Sequence, residues 1–292
     1  MSYVVTIAKA ARIPESAPFS GVALLGCLWA NPGDMGTTWP TMILVVASTF
    51  FLTAFAFIFN DIQDVEHDRR SGSKSKRPLV AGSLSTRSAW LILIVFAVTG
   101  NLLLALWAPW SVFCVGLSTL PVSIVYSLRA HPFKTLPVFS TLIHLVSGTQ
   151  TFIIGAWSIG GADWTPLVIG PFFGLVFAAG HLHHEAADVE ADRRSGVRTH
   201  AVRFGPKPTL AGGFLLWCLS CAHFSALALL RVVPVIWGWT QLGIFACYLA
   251  GFIIIVRFRP DPARLKTLQI IYRIAYLGGG ALMAAFALLE PV

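Results

Sequence analysis

Long apolar runs separated by short polar connections fill the whole chain. Nine runs stand out: Ile13–Ala30, Met42–Phe59, Ala89–Trp107, Ser111–Leu128, Leu136–Trp157, Thr165–His184, Leu210–Leu230, Val233–Val256 and Ile270–Leu289. Each is close to the ~20 residues that carry a helix across a hydrocarbon core, the first and sixth being marginal. A segment in lipid must satisfy its own backbone hydrogen bonds, so the pattern predicts nine transmembrane helices. The expected fold class is all-α integral membrane, one domain over 1–292. A repeated motif divides it into pseudo-repeated halves of about 1–135 and 136–292.

Composition agrees. Of the 292 residues 56% are hydrophobic and only 12% charged, about half the charged share of a soluble domain. The net charge of +8 raises nucleic acid as a partner, but its placement argues against one. With an N-terminus in the cytoplasm, 19 of the 21 basic residues fall on that side of the nine spans, which is the positive-inside pattern. The opening MSYVVTIAKAARIPESAPF lacks the pattern of a cleavable leader. All five cysteines sit in apolar runs. The pair Cys218/Cys221 reads as small packing residues rather than a redox or metal motif, because no second pair exists.

The acids are the informative minority. Eight of the 13 lie in two segments, after spans two and six. DVEHDRRSG (64–72) returns as DVEADRRSG (188–196), with eight of nine residues identical. Asn60, Asp64 and Asp68 follow i, i+4, i+8 and occupy about an 80° arc of a helix, while Glu185, Asp188 and Asp192 share about 60°. Carboxylates crowded at a membrane boundary repel each other and resist desolvation. A divalent cation relieves both problems, and hard oxygen ligands suit Mg²⁺ shared with a substrate pyrophosphate. Pairing with the adjoining Arg69, Arg70, Arg193 and Arg194 at a solvated surface is the plainer alternative. It accounts for neither the repeat nor the spacing.

Basic and aromatic residues surround these rows. Lys74, Lys76 and Arg77 precede Pro78, and YSLRAHPFK between spans four and five offers Tyr126, Arg129 and Lys134. Such side chains make charge-assisted bonds to phosphate oxygens, although positive-inside topology explains each singly. Lys9 and Arg12 lie where they would meet an acceptor carboxylate, with topology again an equal explanation. Phe57 and Phe177 project from the same helix faces as the acids, one or two turns deeper, and His181 lies one turn before Glu185. HLHH resembles a histidine box of membrane di-iron enzymes, but the chain has eight histidines and no second box.

NDIQDVEHD followed by KRPLVAG resembles the first aspartate-rich motif of the UbiA superfamily of intramembrane prenyltransferases. EAADVEADRRSGVRTHAVRFG is similar to the second, and YSLRAHPFK to the short connection that begins Tyr-Ser and ends in Lys. The resemblance covers most of the chain. It implies nine transmembrane helices around a central cavity, with both aspartate motifs at the cytoplasmic side. It also implies Mg²⁺ as cofactor, a polyprenyl diphosphate donor, and a lipophilic, often aromatic acceptor. Carried over by position, Asn60, Asp64, Asp68, Asp188 and Asp192 hold metal and diphosphate, with Asp61 part of the first motif. Glu185 stands where the family commonly has Asp and reaches one methylene further.

The chemistry that follows is ionisation of an allylic diphosphate, with Phe57, Phe177 and His181 lining the prenyl or acceptor pocket. A UbiA-type terpene cyclase, in which the cation is captured by the substrate's own double bonds, is the alternative. A transporter is a remote one, since transport sites lie near the midplane on broken helices and these acids lie at helix ends.

Overall fold

The computed structural model describes residues 3–30, 35–72, 74–128, 133–257 and 261–289. These fold into helices α1 (Tyr3–Ala10), α2 (Ile13–Ala30), α3 (Met35–Ser71), α4 (Thr86–Trp107), α5 (Trp110–Ser127), α6 (Pro137–Gly160), α7 (Thr165–Ser195), α8 (His200–Phe204), α9 (Pro206–Leu229), α10 (Val235–Arg257) and α11 (Pro262–Leu289). No strand occurs among the described residues.

Eight of these helices, α3 to α7 and α9 to α11, are long and apolar enough to cross a membrane. The first expected span is present as a helix with the predicted bounds, but it is not among the eight. Glu15, two prolines and two serines within α2 lower its apolar character. The outer faces carry exposed leucines, isoleucines and valines, such as Leu91, Ile94, Val95 and Val98 on α4. So extensive an apolar exterior belongs against lipid.

Helices α3 and α7 contain 37 and 31 residues, about 55 and 46 Å at 1.5 Å per residue. Both exceed the ~30 Å hydrocarbon core, so their charged ends continue past it as unbroken helix. Each copy of the repeat also contains its own stop. Gly72 (φ +66°) and Gly196 (φ +77°) terminate α3 and α7 in the left-handed region that only glycine enters without strain. Before them, Arg69 pairs with Glu66 at 3.1 Å and Arg193 with Glu190 at 2.9 Å. These pairs are about half exposed, so they add little stability. Three repeated positions, a glutamate, an arginine and a glycine, thus end a helix on a solvated surface, as the plainer reading of the repeat held.

Small residues set how closely the central helices approach. A Cβ on Gly26 of α2 would strike the Phe152 carbonyl oxygen of α6, and one on Gly155 would strike that of Ala23. Gly148 and Gly174 make the same kind of crossing between α6 and α7. Membrane helices gain van der Waals contact by such approach, because lipid tails give no hydrophobic drive for association. A separate aromatic cluster, in which Trp217, Tyr248, Tyr272 and His183 pack together, joins α7 to α9, α10 and α11.

Candidate active site

A cavity of about 520 Å³ opens among α2, α3, α5, α6 and α7. From α3 it takes Thr49, Thr53, Phe57, Asn60 and Asp64, and from α7 His181, Glu185, Asp188 and Asp192. Two remote copies of one motif therefore face one space. Local geometry holds the first row: the Asn60 amide Nδ2 donates to Asp64 Oδ2 at 3.0 Å, and Ser127 Oγ of α5 donates to Asn60 Oδ1 at 3.1 Å. Helical periodicity supplies the alignment, and α5 supplies the tie.

Asp68 differs from its repeat equivalent Asp192. It is 1% exposed and lies off the cavity wall, bonded to Arg77 Nη1 at 2.7 Å and to Lys74 Nζ at 3.1 Å. Arg77 Nη1 also donates to Asp61 Oδ1 at 2.8 Å, and Arg12 pairs with the same carboxylate. The result is a network of three cations and two acids whose basic members, Arg12, Lys74 and Arg77, line the cavity. Burial pushes the Arg77 guanidinium below its ordinary pKa and Arg12 adds to that, while Asp61, Asp68 and Asp64 oppose it. Arg12 occupies the α1–α2 junction at φ +47°, an uncommon conformation for a residue with a Cβ. Its guanidinium lies 5.1 Å from the centroid of the Phe57 ring.

The second row contains a different arrangement. Glu185 is buried, and its Oε1 lies 2.9 Å from His181 Nε2, within ion-pair distance but without hydrogen-bond alignment. Its Oε2 accepts from both the backbone amide and Nδ1 of His200, each at 2.9 Å. The extra methylene relative to Asp lets this carboxylate reach the α8 loop. His181 stacks on His144 of α6 with centroids 3.9 Å apart, and Tyr126 meets His144 edge-on at 5.6 Å.

The remaining sequence candidates separate cleanly. Tyr126 and Arg77 are on the wall, whereas Lys76 is exposed away from it. Arg129 and the Lys134 side chain lie outside the described residues. Phe177 sits behind the wall, packed on Phe19 at 4.4 Å, and it is Phe19 that lines the cavity. Sequence reasoning missed Phe19, Ser127, His144, Gln150 and His200. Gln150 Nε2 contacts Thr119 Oγ1 at 2.8 Å on the deep wall. Periodicity within one helix cannot reveal residues whose role comes from a neighbouring helix.

Asn60, Asp64, Asp188 and Asp192 offer hard oxygens to one cavity, the donor chemistry that suits Mg²⁺. Glu185 differs: two N–H groups of His200 engage one of its oxygens, and His181 Nε2 lies 2.9 Å from the other.

The model of the UbiA prenyltransferase family matches residues 20–277. The chain is 27% identical over 232 residues to digeranylgeranylglyceryl phosphate synthase of Methanoregula boonei, covering 78% of each chain. It is 28% identical over 176 residues to protoheme IX farnesyltransferase of Oleidesulfovibrio alaskensis, covering 60% of this chain and 61% of that one. The chain thus matches a little under two thirds of the latter's length. A solved UbiA homolog from Archaeoglobus fulgidus bound to DMAPP and Mg²⁺ superposes with a TM-score of 0.73 at 23% identity, covering 96% of this chain and 99% of that one. That likeness is one of fold.

Proposed function

The chain belongs to the UbiA prenyltransferase family, and from that premise we propose that it transfers a prenyl chain from a polyprenyl diphosphate to a lipophilic, aromatic acceptor within the membrane, with Mg²⁺ as cofactor. One observation carries the reading: Asp64 and Asp188, equivalent positions of the repeat, line the same cavity as Phe19 and Phe57. A polar, acid-lined end thus continues into a space with aromatic walls, which matches an amphipathic diphosphate.

Asn60, Asp64, Asp188 and Asp192 would hold the ion between them and the pyrophosphate. When bound, Mg²⁺ supplies positive charge to the departing pyrophosphate. Arg12, Lys74 and Arg77 bind its oxygens from the side of the first motif. The aromatic rings exclude water from C1 of the allylic chain and present their faces to its developing positive charge. The distribution of basic residues supports a cytoplasmic position for this polar end, and for the N-terminus.

The test is incubation of the purified protein with geranylgeranyl diphosphate and Mg²⁺, with and without a panel of phenolic acceptors, followed by pyrophosphate and product analysis. Pyrophosphate release that requires an acceptor is the expected result. A cyclic hydrocarbon or terpene alcohol formed without acceptor replaces the transferase with the cyclase. No release from donors of any chain length, with any acceptor, removes the enzyme reading.

A further inference from the structure

The diphosphate reading leaves the stacked histidines of the α6–α7 wall without a task. Their protonation pattern follows from their partners. His144 Nδ1 lies 2.8 Å from the Ser140 carbonyl oxygen, which only accepts, so Nδ1 carries the proton and Nε2 the lone pair. His181 Nε2 lies 2.9 Å from a Glu185 oxygen and 3.0 Å from Ser140 Oγ. Ser140 Oγ donates to the Pro137 carbonyl oxygen at 3.0 Å and so accepts from His181, which puts the proton on Nε2 and the lone pair on Nδ1. Both rings line the cavity. Two parallel imidazoles therefore each present one unprotonated nitrogen beside the acid-lined pocket.

Glu185 is placed to support a proton on His181. It is 4% exposed, and His200 holds its second oxygen through two N–H groups. Held by His200 on one oxygen and lying 2.9 Å from His181 Nε2 through the other, the carboxylate orients the imidazole and stabilises the imidazolium. The ionisable groups around the ring are His144, His200 and Glu185, with Tyr126 of α5 edge-on to His144.

We propose that His181 is the base that removes the hydroxyl proton of a phenolic acceptor, with Glu185 and His200 as positioning residues and His144 stacked on the His181 ring. This rests on the transferase reading and names its acceptor class. In the step, the acceptor O–H bond breaks and its proton passes to His181 Nδ1. The electron pair left on the phenolate forms the new bond to C1 through oxygen, or through the conjugated ring carbon to give a dienone that rearomatises as that carbon loses its proton and the oxygen regains one. The C1–O bond of the donor breaks, and its pair departs with pyrophosphate.

Two measurements on the full chain in detergent test this. The first needs no turnover: 4-nitrophenol is titrated into the protein at a pH where the free probe is protonated, and its phenolate absorption is followed. Wild type is expected to generate the phenolate band, with Gly278→Ala, outside the cavity, retaining it. His181→Ala and His181→Gln, the latter keeping an N–H donor for Glu185, lose it. Absence of the band in wild type, or its persistence in His181→Gln, overturns the proposal. The second is donor turnover with a phenol that wild type prenylates. His181→Ala is expected to lower kcat on the order of 10²–10³-fold, within the usual range for a general base, to leave the donor KM within about threefold, and to be restored in part by free imidazole. A kcat near wild type overturns it. A phenolate band without pyrophosphate release from any donor supports the His181 assignment and removes the transferase reading.

Discussion

Arg77 donates through Nη1 to Asp68 Oδ2 at 2.7 Å, and Asp68 is 1% exposed. The pair ties the loop after α3 back onto the helix and keeps an aspartate of the first motif off the cavity wall. Arg77→Ala removes the closer cation from that buried carboxylate and leaves Lys74 at 3.1 Å. Stranding a buried charge costs about 3–5 kcal/mol, and the remaining Lys74 puts the expected loss at the low end. Thermal unfolding in detergent measures it. The double variant Arg77→Ala/Asp68→Asn is expected to lose less than the sum of the singles, and strict additivity would show that the pair is not coupled.

Asp64→Ala and Asp188→Ala are expected to lower kcat at least about 10²–10³-fold, the loss typical of removing one preorganised electrostatic partner. Both side chains face the cavity and neither fills the apolar core. The melting temperature is therefore expected to stay within a few degrees of wild type. A fast Asp188→Ala enzyme would refute the idea that the two motif copies act together.

Metal removal probes the same acids from the other direction. Treatment with EDTA is expected to abolish pyrophosphate release, and added Mg²⁺ to restore it. Asp192→Asn is expected to raise the Mg²⁺ concentration required. Asp68→Asn, whose side chain lies off the wall, is expected to change that requirement far less. Equal shifts in the two variants would place Asp68 in the metal site after all.

Gly155→Ala introduces a Cβ against the Ala23 backbone oxygen, and Gly174→Ala one against that of Leu145. Backbone cannot swing aside as a side chain does, so each substitution forces helices apart. Overpacking of this kind costs about 1–3 kcal/mol. Thermal stability is expected to fall in both, whereas Gly278→Ala, with nothing within 4 Å of its Cβ, should be neutral. Unchanged stability in Gly155→Ala would mean that α2 and α6 are not held at that crossing.

Much of the site was legible because helical spacing is a local property. Asn60 and Asp64 share a face whatever surrounds them, and the structure shows them bonded at 3.0 Å. The arginines and glycine of each repeat have an equally local role, charge in the last turn and a left-handed stop. Less legible was the division of labour within the repeat. Glu190 pairs with Arg193 on the surface away from the cavity, whereas its equivalent Glu66 pairs with Arg69 and also lines the cavity beside Asp64.

Hydrophobic periodicity, charge asymmetry and the duplicated acids, all readable along the chain, determined a membrane helical bundle with two acidic rows. Tertiary structure alone decided what each row meets. Asp68 and Asp192 occupy equivalent positions in nearly identical segments, yet one is sealed behind Arg77 and Lys74 and the other lines the cavity. His144 and His200 come from α6 and α8, and no spacing along α7 announces them. A helix fixes which residues share a face, since that depends on its own pitch. It does not fix the charge, polarity or distance of the element packed opposite, and these set the chemistry of each carboxylate and imidazole.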